Sequence, residues 1–191
     1  MRCGVNIIIE KYSRHKKPIS NEPSSFLARE ISGLNLPEGS LALDLGCGYG
    51  RNSILLSRHF ANVIAADFSY KGFSDLWYLS CKNIHPVILD CRQLLPFLNN
   101  AFSAVIVVHL YHENLIANLI DVIQPDGFFI YESIAGNGEN WRELSLSGEV
   151  KRLLEKQFII KHYLERPVGP DKKNATVKVV AQKKHESLVA L

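Results

Sequence analysis

The stretch that decides the fold is LALDLGCGYG at residues 41–50, followed by RNSILLSRH at residues 51–59. Its first five residues predict a buried strand, and the second segment has the apolar spacing of a helix. Between them, glycines at positions 46 and 48 let the chain reverse and let the main chain approach a ligand without interference from a Cβ atom. The free amides at the start of the helix suit an anionic group. The stretch therefore predicts a ligand-binding turn at the carboxyl end of a first strand.

The spacing of the glycines discriminates between classes of cofactor. A dinucleotide-binding turn of the GxGxxG type requires a third glycine at position 51, where this chain has Arg51. Asp44, which directly precedes the turn, would repel a pyrophosphate but suits a ligand that carries an ammonium group. The turn therefore disfavours a nicotinamide cofactor.

Along the rest of the chain, short apolar runs alternate with amphipathic segments, which is typical of strand and helix units on a mostly parallel sheet. The predicted strands are 41–45, 62–66, 86–89, 102–108, 128–131, 158–163 and 175–181. The predicted helices are 23–31, capped by Ser20 or Asn21, then 51–59, 70–80, 112–123 and 148–156. We expect an arm or lid at 1–20, one α/β domain at 21–184 and a tail at 185–191.

Composition excludes several classes of protein. Hydrophobic residues make up 47% of the chain and charged residues 21%, which is a globular composition. A net charge of +3 is too small to indicate nucleic-acid binding across the whole surface. The four cysteines form no CxxC pair and have no metal-ligand spacing, so we expect reduced thiols, a cytoplasmic protein and no metal. Because no apolar run approaches the roughly 20 residues of a membrane helix, we expect no membrane insertion.

Two acidic residues follow the predicted second and third strands. Asp67 lies 17 residues beyond Gly50, close to the spacing of about 20 for a carboxylate that binds ribose hydroxyls. Asp90 is placed to bind an adenine amino group while the amide of Cys91 faces the ring. Either aspartate alone is more often a loop cap. Their joint placement beside the glycine turn favours a cofactor site.

These residues resemble the class I S-adenosylmethionine-dependent methyltransferases over roughly residues 20–184. LDLGCGYGRNSILLS at 43–57 is similar to the tellurite-resistance type and related small-molecule methyltransferases, VIAADFS at 63–69 to the family's ribose-binding segment, and QPDGFFIYE at 124–132 to its fifth strand. The stretch 167–173 departs from the tellurite enzymes, which disfavours metalloid chemistry. The resemblance implies a Rossmann-like, doubly wound, seven-stranded sheet, mostly parallel with an antiparallel last strand. It also implies S-adenosyl-L-methionine as cofactor and S-adenosyl-L-homocysteine as product.

Methyl transfer is an in-line displacement, so the protein must mainly align the acceptor, the methyl group and the sulfur. The candidate catalytic residues follow the fourth strand: His109 would meet the cofactor's methionine end through its backbone, while Tyr111 or His112 would shape the acceptor or take its proton. Each histidine could instead be a helix cap or a satisfied core group. A zinc site at the two histidines lacks a third ligand. The predicted cofactor contacts are Asp44, Gly46, Cys47, Gly48, Arg51, Asp67, Phe68, Asp90, Cys91 and His109.

The leading interpretation is a methyltransferase that acts on a small-molecule acceptor: a thiol, a metalloid oxyanion or a small acid. One alternative is RNA or protein methylation, based on the basic cluster at 11–17, although nucleic acid is disfavoured as a partner by the overall charge. Another is a cofactor-binding regulatory protein without turnover, because no catalytic base stands out. We expect a monomer or a homodimer.

Overall fold

The computed structural model describes residues 22–69, 81–112, 114–136, 144–170 and 173–185. The predicted helix at 70–80, the arm at 1–20, the cap candidates Ser20 and Asn21, and the tail beyond His185 lie outside these residues. The strands are β1 Leu41–Leu45, β2 Asn62–Asp67, β3 Ile84–Ile88, β4 Phe102–Val108, β5 Ile123–Gly136, β6 Phe158–Val168 and β7 Asn174–Lys183. The helices of the described part are α1 Ser25–Ile31, α2 Arg51–Leu56, α3 Leu115–Ile120 and α4 Glu149–Leu154.

All seven strands form one sheet in the order β3-β2-β1-β4-β5-β7-β6. The pairs from β3 to β5 are parallel, whereas β7 runs antiparallel to both β5 and β6. The predicted doubly wound sheet with a reversed last strand is therefore confirmed. The chain winds outward in both directions from β1 and β4, and ligands of such sheets bind where the carboxyl ends of these two strands meet.

Each face of the sheet carries its own core, because alternate residues of a strand point to opposite faces. In β1, Leu43 and Leu45 belong to the larger core, which is closed by α3 and α4. Ala42 belongs to the smaller core, which is closed by α1 and α2. Strand β4 is buried at all seven positions, as expected for a strand covered on both faces.

The elements differ from the sequence prediction mainly around β5. The predicted helix 112–123 is only Leu115–Ile120, and β5 begins at Ile123 instead of residue 128. The residues Pro125-Asp126-Gly127, which separate the predicted helix from the predicted strand, form an irregularity within β5, where the pairing with β4 shifts and Asp126 has φ of +63°. The other helices are one to three residues shorter at an end, and the cap of α1 is Ser24, whose hydroxyl accepts a hydrogen bond from the Leu27 amide.

Candidate cofactor and acceptor site

The glycine turn joins β1 to α2 at the carboxyl edge of the sheet. Gly46, Gly48 and Gly50 all have positive φ angles, of +75°, +54° and +74°. A Cβ on Gly46 would lie 2.8 Å from Cδ2 of Leu110, so a side chain there would collide with the segment after β4. A Cβ on Gly48 would meet no atom of the described residues within 4 Å. The turn is therefore packed on one side and open to a ligand at Gly48.

Asp67, the last residue of β2, ties this turn to the neighbouring strand. Its Oδ2 accepts a hydrogen bond of 2.8 Å from the amide of Gly48, and its Oδ1 accepts one of 2.8 Å from the amide of Ser69. A carboxylate offers about four acceptor positions, of which the described residues occupy two, so two are open to hydroxyl groups of a ligand as far as the described part of the chain is concerned. Asp67 therefore shapes the turn and still has the capacity to bind a ribose.

Asp44, at the fourth position of β1, is buried beneath the turn. Its Oδ2 accepts a hydrogen bond from the hydroxyl of Ser53 in α2. Burial raises the pKa of Asp44 to about 6, although the Ser53 hydrogen bond opposes the rise. Among the residues that the structure describes, no ion pair joins Asp44 to a cation. A buried carboxylate of this kind fits a site that receives the ammonium group of a ligand, because a nearby cation would restore its charged form.

The edge beside β3 contains Asp90 and Arg92. Nε and Nη2 of Arg92 donate to the two carboxylate oxygens of Asp90 at 2.8 and 2.6 Å, and this pairing lowers the pKa of Asp90. The Arg92 guanidinium also lies 5.7 Å from the centre of the Phe68 ring, which is 40% exposed. Arg92 was not predicted as a site residue, but it contacts Asp90 and Phe68, which were.

The two cysteines of the predicted cofactor site are neutral thiols. Burial raises the pKa of Cys91 to about 11, and it also raises the pKa of Cys47. A thiol that stays protonated at neutral pH is a poor nucleophile. Any contribution of these residues to ligand binding would therefore come from their backbone and their packing.

The three candidate catalytic residues lie just beyond β4 and have different neighbours. His109 has φ of +60°, and its amide donates to the carbonyl of Glu132 at 2.7 Å. Burial lowers the pKa of its ring, while the charge of Glu132 opposes this. The Tyr111 hydroxyl donates to Oε2 of Glu149 in α4 at 3.0 Å. Nδ1 of His112 instead accepts a hydrogen bond of 3.4 Å from the amide of Asn114, the residue that precedes α3.

Comparison with known proteins finds a family match over part of the chain. Residues 42–127 match the family described as a methyltransferase domain. An uncharacterised protein from Methanocaldococcus jannaschii is 27% identical over 136 residues, which are 68% of this chain and 51% of that protein. The chain therefore spans about half the length of this relative.

Two solved structures show the same fold. Geranyl diphosphate methyltransferase in complex with S-adenosylmethionine aligns with a TM-score of 0.67 at 12% identity, over 82% of this chain and 84% of that chain. SpnF, described as a 4+2 cyclase, aligns with a TM-score of 0.67 at 16% identity, over 83% of this chain and 80% of that chain. The chain therefore has the fold of these structures, and residues 42–127 of it match a methyltransferase-domain family. None of the proteins named here is of the tellurite-resistance type, so that finer resemblance stays a prediction.

A buried network close to the candidate site was not predicted. Oε1 of Glu132, near the carboxyl end of β5, pairs with Nζ of Lys178 at 2.9 Å, and its Oε2 accepts a hydrogen bond from the Ser24 hydroxyl. Burial raises the pKa of Glu132, but Ser24 and Lys178 outweigh it, so the pKa lies below its ordinary value. The amide of Ser24 donates to Oδ1 of Asn52 at 2.9 Å. The network therefore joins the start of α1 to β5, β7 and the helix after the glycine turn.

Arg51 and Asn52 begin α2, but they differ in what they offer to a methyltransferase cofactor. Asn52 is buried, and its side-chain oxygen is engaged by Ser24. Arg51 is half-buried, and its charge acts on both Asp44 and His109 by lowering their pKa values. Arg51 therefore lies close to the junction of β1 and β4, where a cofactor carboxylate would bind.

Within the described ranges, no group of three or more His, Cys, Asp or Glu side chains is arranged to hold a metal ion. In that same part of the chain, no helix combines the length and apolar character needed to cross a bilayer.

Proposed function

We propose that the protein transfers the methyl group of S-adenosylmethionine to a small-molecule acceptor: a thiol, a metalloid oxyanion or a small acid. The observation that carries the proposal is the hydrogen bond between Asp67 and Gly48, because it holds an open glycine turn against a carboxylate with acceptor positions to spare. When bound, the cofactor supplies an electrophilic methyl group on a positively charged sulfur. The chain's own residues must bind it, orient it and exclude water.

Each predicted cofactor residue has a role that its surroundings support. Asp67 accepts hydrogen bonds from the ribose hydroxyls, and Asp44 compensates the charge of the ammonium group. Arg51 binds the carboxylate from the first turn of α2. On the adenine side, the exposed Phe68 ring offers an apolar face and Asp90 an acceptor for the amino group. Since Arg92 already neutralises Asp90, the adenine contact adds little net charge attraction and mainly sets orientation.

The acceptor side of the site lies between β4 and α4. The main chain of His109 borders the methionine end of the cofactor, and Tyr111 lines the path of the acceptor. The acceptor atom attacks the methyl carbon while the carbon–sulfur bond breaks, and its electron pair stays on sulfur. If the acceptor carries a proton, that proton passes to the Tyr111 oxygen as the Tyr111 proton passes to Glu149, along the 3.0 Å hydrogen bond. A thiolate or an oxyanion needs no such transfer.

The test uses cofactor labelled in its methyl group and a panel of thiols, metalloid oxyanions and small carboxylic acids. We expect label in at least one of these acceptors. For an acceptor that must lose a proton, Tyr111→Phe lowers kcat by roughly 100-fold or more, whereas a thiolate acceptor at high pH is little affected. Tyr163→Phe is the matched control, because it removes a hydroxyl that binds a different glutamate, Glu165. Binding of S-adenosylhomocysteine without transfer of label to any acceptor would contradict the proposal.

A second candidate is a cofactor-binding protein whose reaction is not methyl transfer. It is favoured by the likeness to SpnF, which is described as a cyclase although it shares the fold. Tight cofactor binding with no transfer would support this candidate. RNA or protein methylation rests on the basic cluster at 11–17, which lies outside the described residues. Failure of the protein to bind RNA at low salt would remove that support.

A further inference from the structure

A cavity of about 640 Å³ lies on the edge of the sheet opposite to the glycine turn. It is bordered by the amino end of β4 at Ser103, by Gln182 near the end of the antiparallel β7, and by the loop 33–37 that follows α1. We propose that this cavity is a second binding site, for a small organic anion: a carboxylate or phosphate group on an apolar body.

An irregularity in β6 turns two adjacent polar side chains into the cavity. Ile160 pairs with Ala181 and His162 pairs with Val180, so Lys161 is an extra residue in the ladder. Regular alternation would send Lys161 and His162 to opposite faces of the sheet. Instead both line the cavity, and the flanking residues Ile160 and Tyr163 both pack against the larger core. A β-bulge redirects side chains in this way, and bulges are common beside functional sites.

The imidazole of His162 has an unsatisfied polar atom at this position. Its ring packs against Phe26 with 5.6 Å between the ring centres, and Nε2 is buried with no hydrogen-bond partner among the described residues. A buried polar atom without a partner destabilises a protein. Because His162 lines the cavity, a rotation of its ring would let a ligand there hydrogen-bond Nε2 and remove this penalty.

Lys161 is the charged side chain of the cavity that can bind an anion. Arg29 and Glu30 also border it, but they pair with each other at 2.8 Å, so their charges largely cancel. Lys161 is exposed and has no ion pair within the described part of the chain. Asp126 is the remaining acid, and it opposes an anion wherever the ligand binds. The free cation and the unsatisfied imidazole therefore come from the same bulge.

The wall opposite the bulge is apolar. It contains Leu34, Leu36 and Pro37 from the loop after α1, and Phe128 from β5. A ligand that consisted only of a small inorganic ion would leave these side chains facing water. An organic body about the size of a phenyl ring would cover them, which is the reason for assigning an organic anion to the site.

The test uses phenyl phosphate and benzoate as probes, with benzyl alcohol and benzylamine as neutral and cationic compounds of similar size. Calorimetry is performed with the cofactor site filled by S-adenosylhomocysteine, so that the glycine turn does not compete for the probes. We expect one anion per chain, no binding of the other two compounds, and a change in the NMR signals of the His162 ring. Lys161→Gln weakens binding about tenfold or more, whereas Lys156→Gln, an exposed lysine outside the cavity, changes it less than about twofold.

A third variant separates an anion site from a general polar cleft. Asp126→Asn removes the opposing acid, so phenyl phosphate binds it more tightly than it binds the wild type. Absence of anion binding, equal binding of benzylamine, insensitivity to Lys161→Gln or weaker binding to Asp126→Asn would each overturn the proposal. The titration is repeated with Asp67→Asn to keep the two sites distinct. This variant should bind the probes as the wild type does, because a defect in the cofactor site leaves the cavity unchanged.

Discussion

Replacing Asp67 by asparagine tests the cofactor site with little change of shape. The asparagine oxygen can still accept the hydrogen bond from Gly48, which measures 2.8 Å, while the NH2 group takes the place of Oδ1 and the bond from the Ser69 amide is lost. The two bonds offered to the ribose hydroxyls lose their charge assistance, however. A hydrogen bond to a charged group contributes about 1.5 to 3 kcal/mol and one between neutral groups about 0.5 to 1.5 kcal/mol. Two such replacements weaken binding by about 2 to 3 kcal/mol, which is roughly 30- to 150-fold in Kd.

Calorimetric titration of S-adenosylhomocysteine measures this loss directly. Asp67→Ala should bind more weakly still, since it also removes the acceptor for the Gly48 amide and loosens the turn. The matched control is Asp121→Asn, an exposed aspartate between α3 and β5 at the other edge of the sheet, and its Kd should stay within about twofold of the wild type. An Asp67→Asn variant that binds as tightly as the wild type would refute the assignment of this carboxylate to the ribose.

Two further predictions follow from buried polar groups at the same edge. The pKa of Asp44 is 3.8 in the unfolded chain and about 6 in the folded protein, so the folded state keeps its proton to a higher pH. Ionised Asp44 therefore destabilises the wild type by up to about 3 kcal/mol as pH rises from 4 to 7. Denaturation at a series of pH values should show Asp44→Asn gaining stability relative to the wild type over that range, and a constant difference would count against the raised pKa. Ser24→Ala removes the cap bond to Leu27 and the bond to Glu132, so urea unfolding should show a loss of about 2 to 4 kcal/mol. The control Ser32→Ala, at the other end of α1, should cost less than about 0.5 kcal/mol, and an equal loss in both variants would contradict the role of the network.

The parts of the site that could be predicted from the sequence are those carried by short stretches of chain. The glycine turn lies directly between β1 and α2, and its conformation depends on glycines at positions 46, 48 and 50. Asp67 was predicted because it ends a strand that pairs with β1, and such ends meet at one edge of a parallel sheet. Its bond to the Gly48 amide was not predicted, since the direction of a side chain after a strand depends on the folded turn.

The network around Glu132 could not be predicted in the same way. Glu132 and Lys178 are directly opposite each other only because β7 inserts antiparallel between β5 and β6. The register of that pairing cannot be predicted from the sequence of either strand alone. A lysine within a strand as apolar as β7 was the available signal, because a buried amine requires a partner. The bulge at Lys161 is hidden for a related reason. It appears only when β6 is paired with β7, because β6 then has one extra residue, Lys161, between the residues that pair with Ala181 and Val180.

The two buried carboxylates at the carboxyl edge show how the fold reserves one place for a ligand's positive charge. Glu132 has a cation of its own, since Lys178 lies 2.9 Å away, and the pKa of Glu132 falls below its ordinary value. Asp44 has a hydroxyl partner but no ion pair among the described residues, and its pKa rises to about 6. An incoming ammonium group therefore gains more at Asp44, where it offsets a desolvation penalty that the protein leaves uncompensated. Because Asp44 directly precedes the glycine turn, this difference favours binding of the cofactor's methionine end between β1 and β4, close to His109.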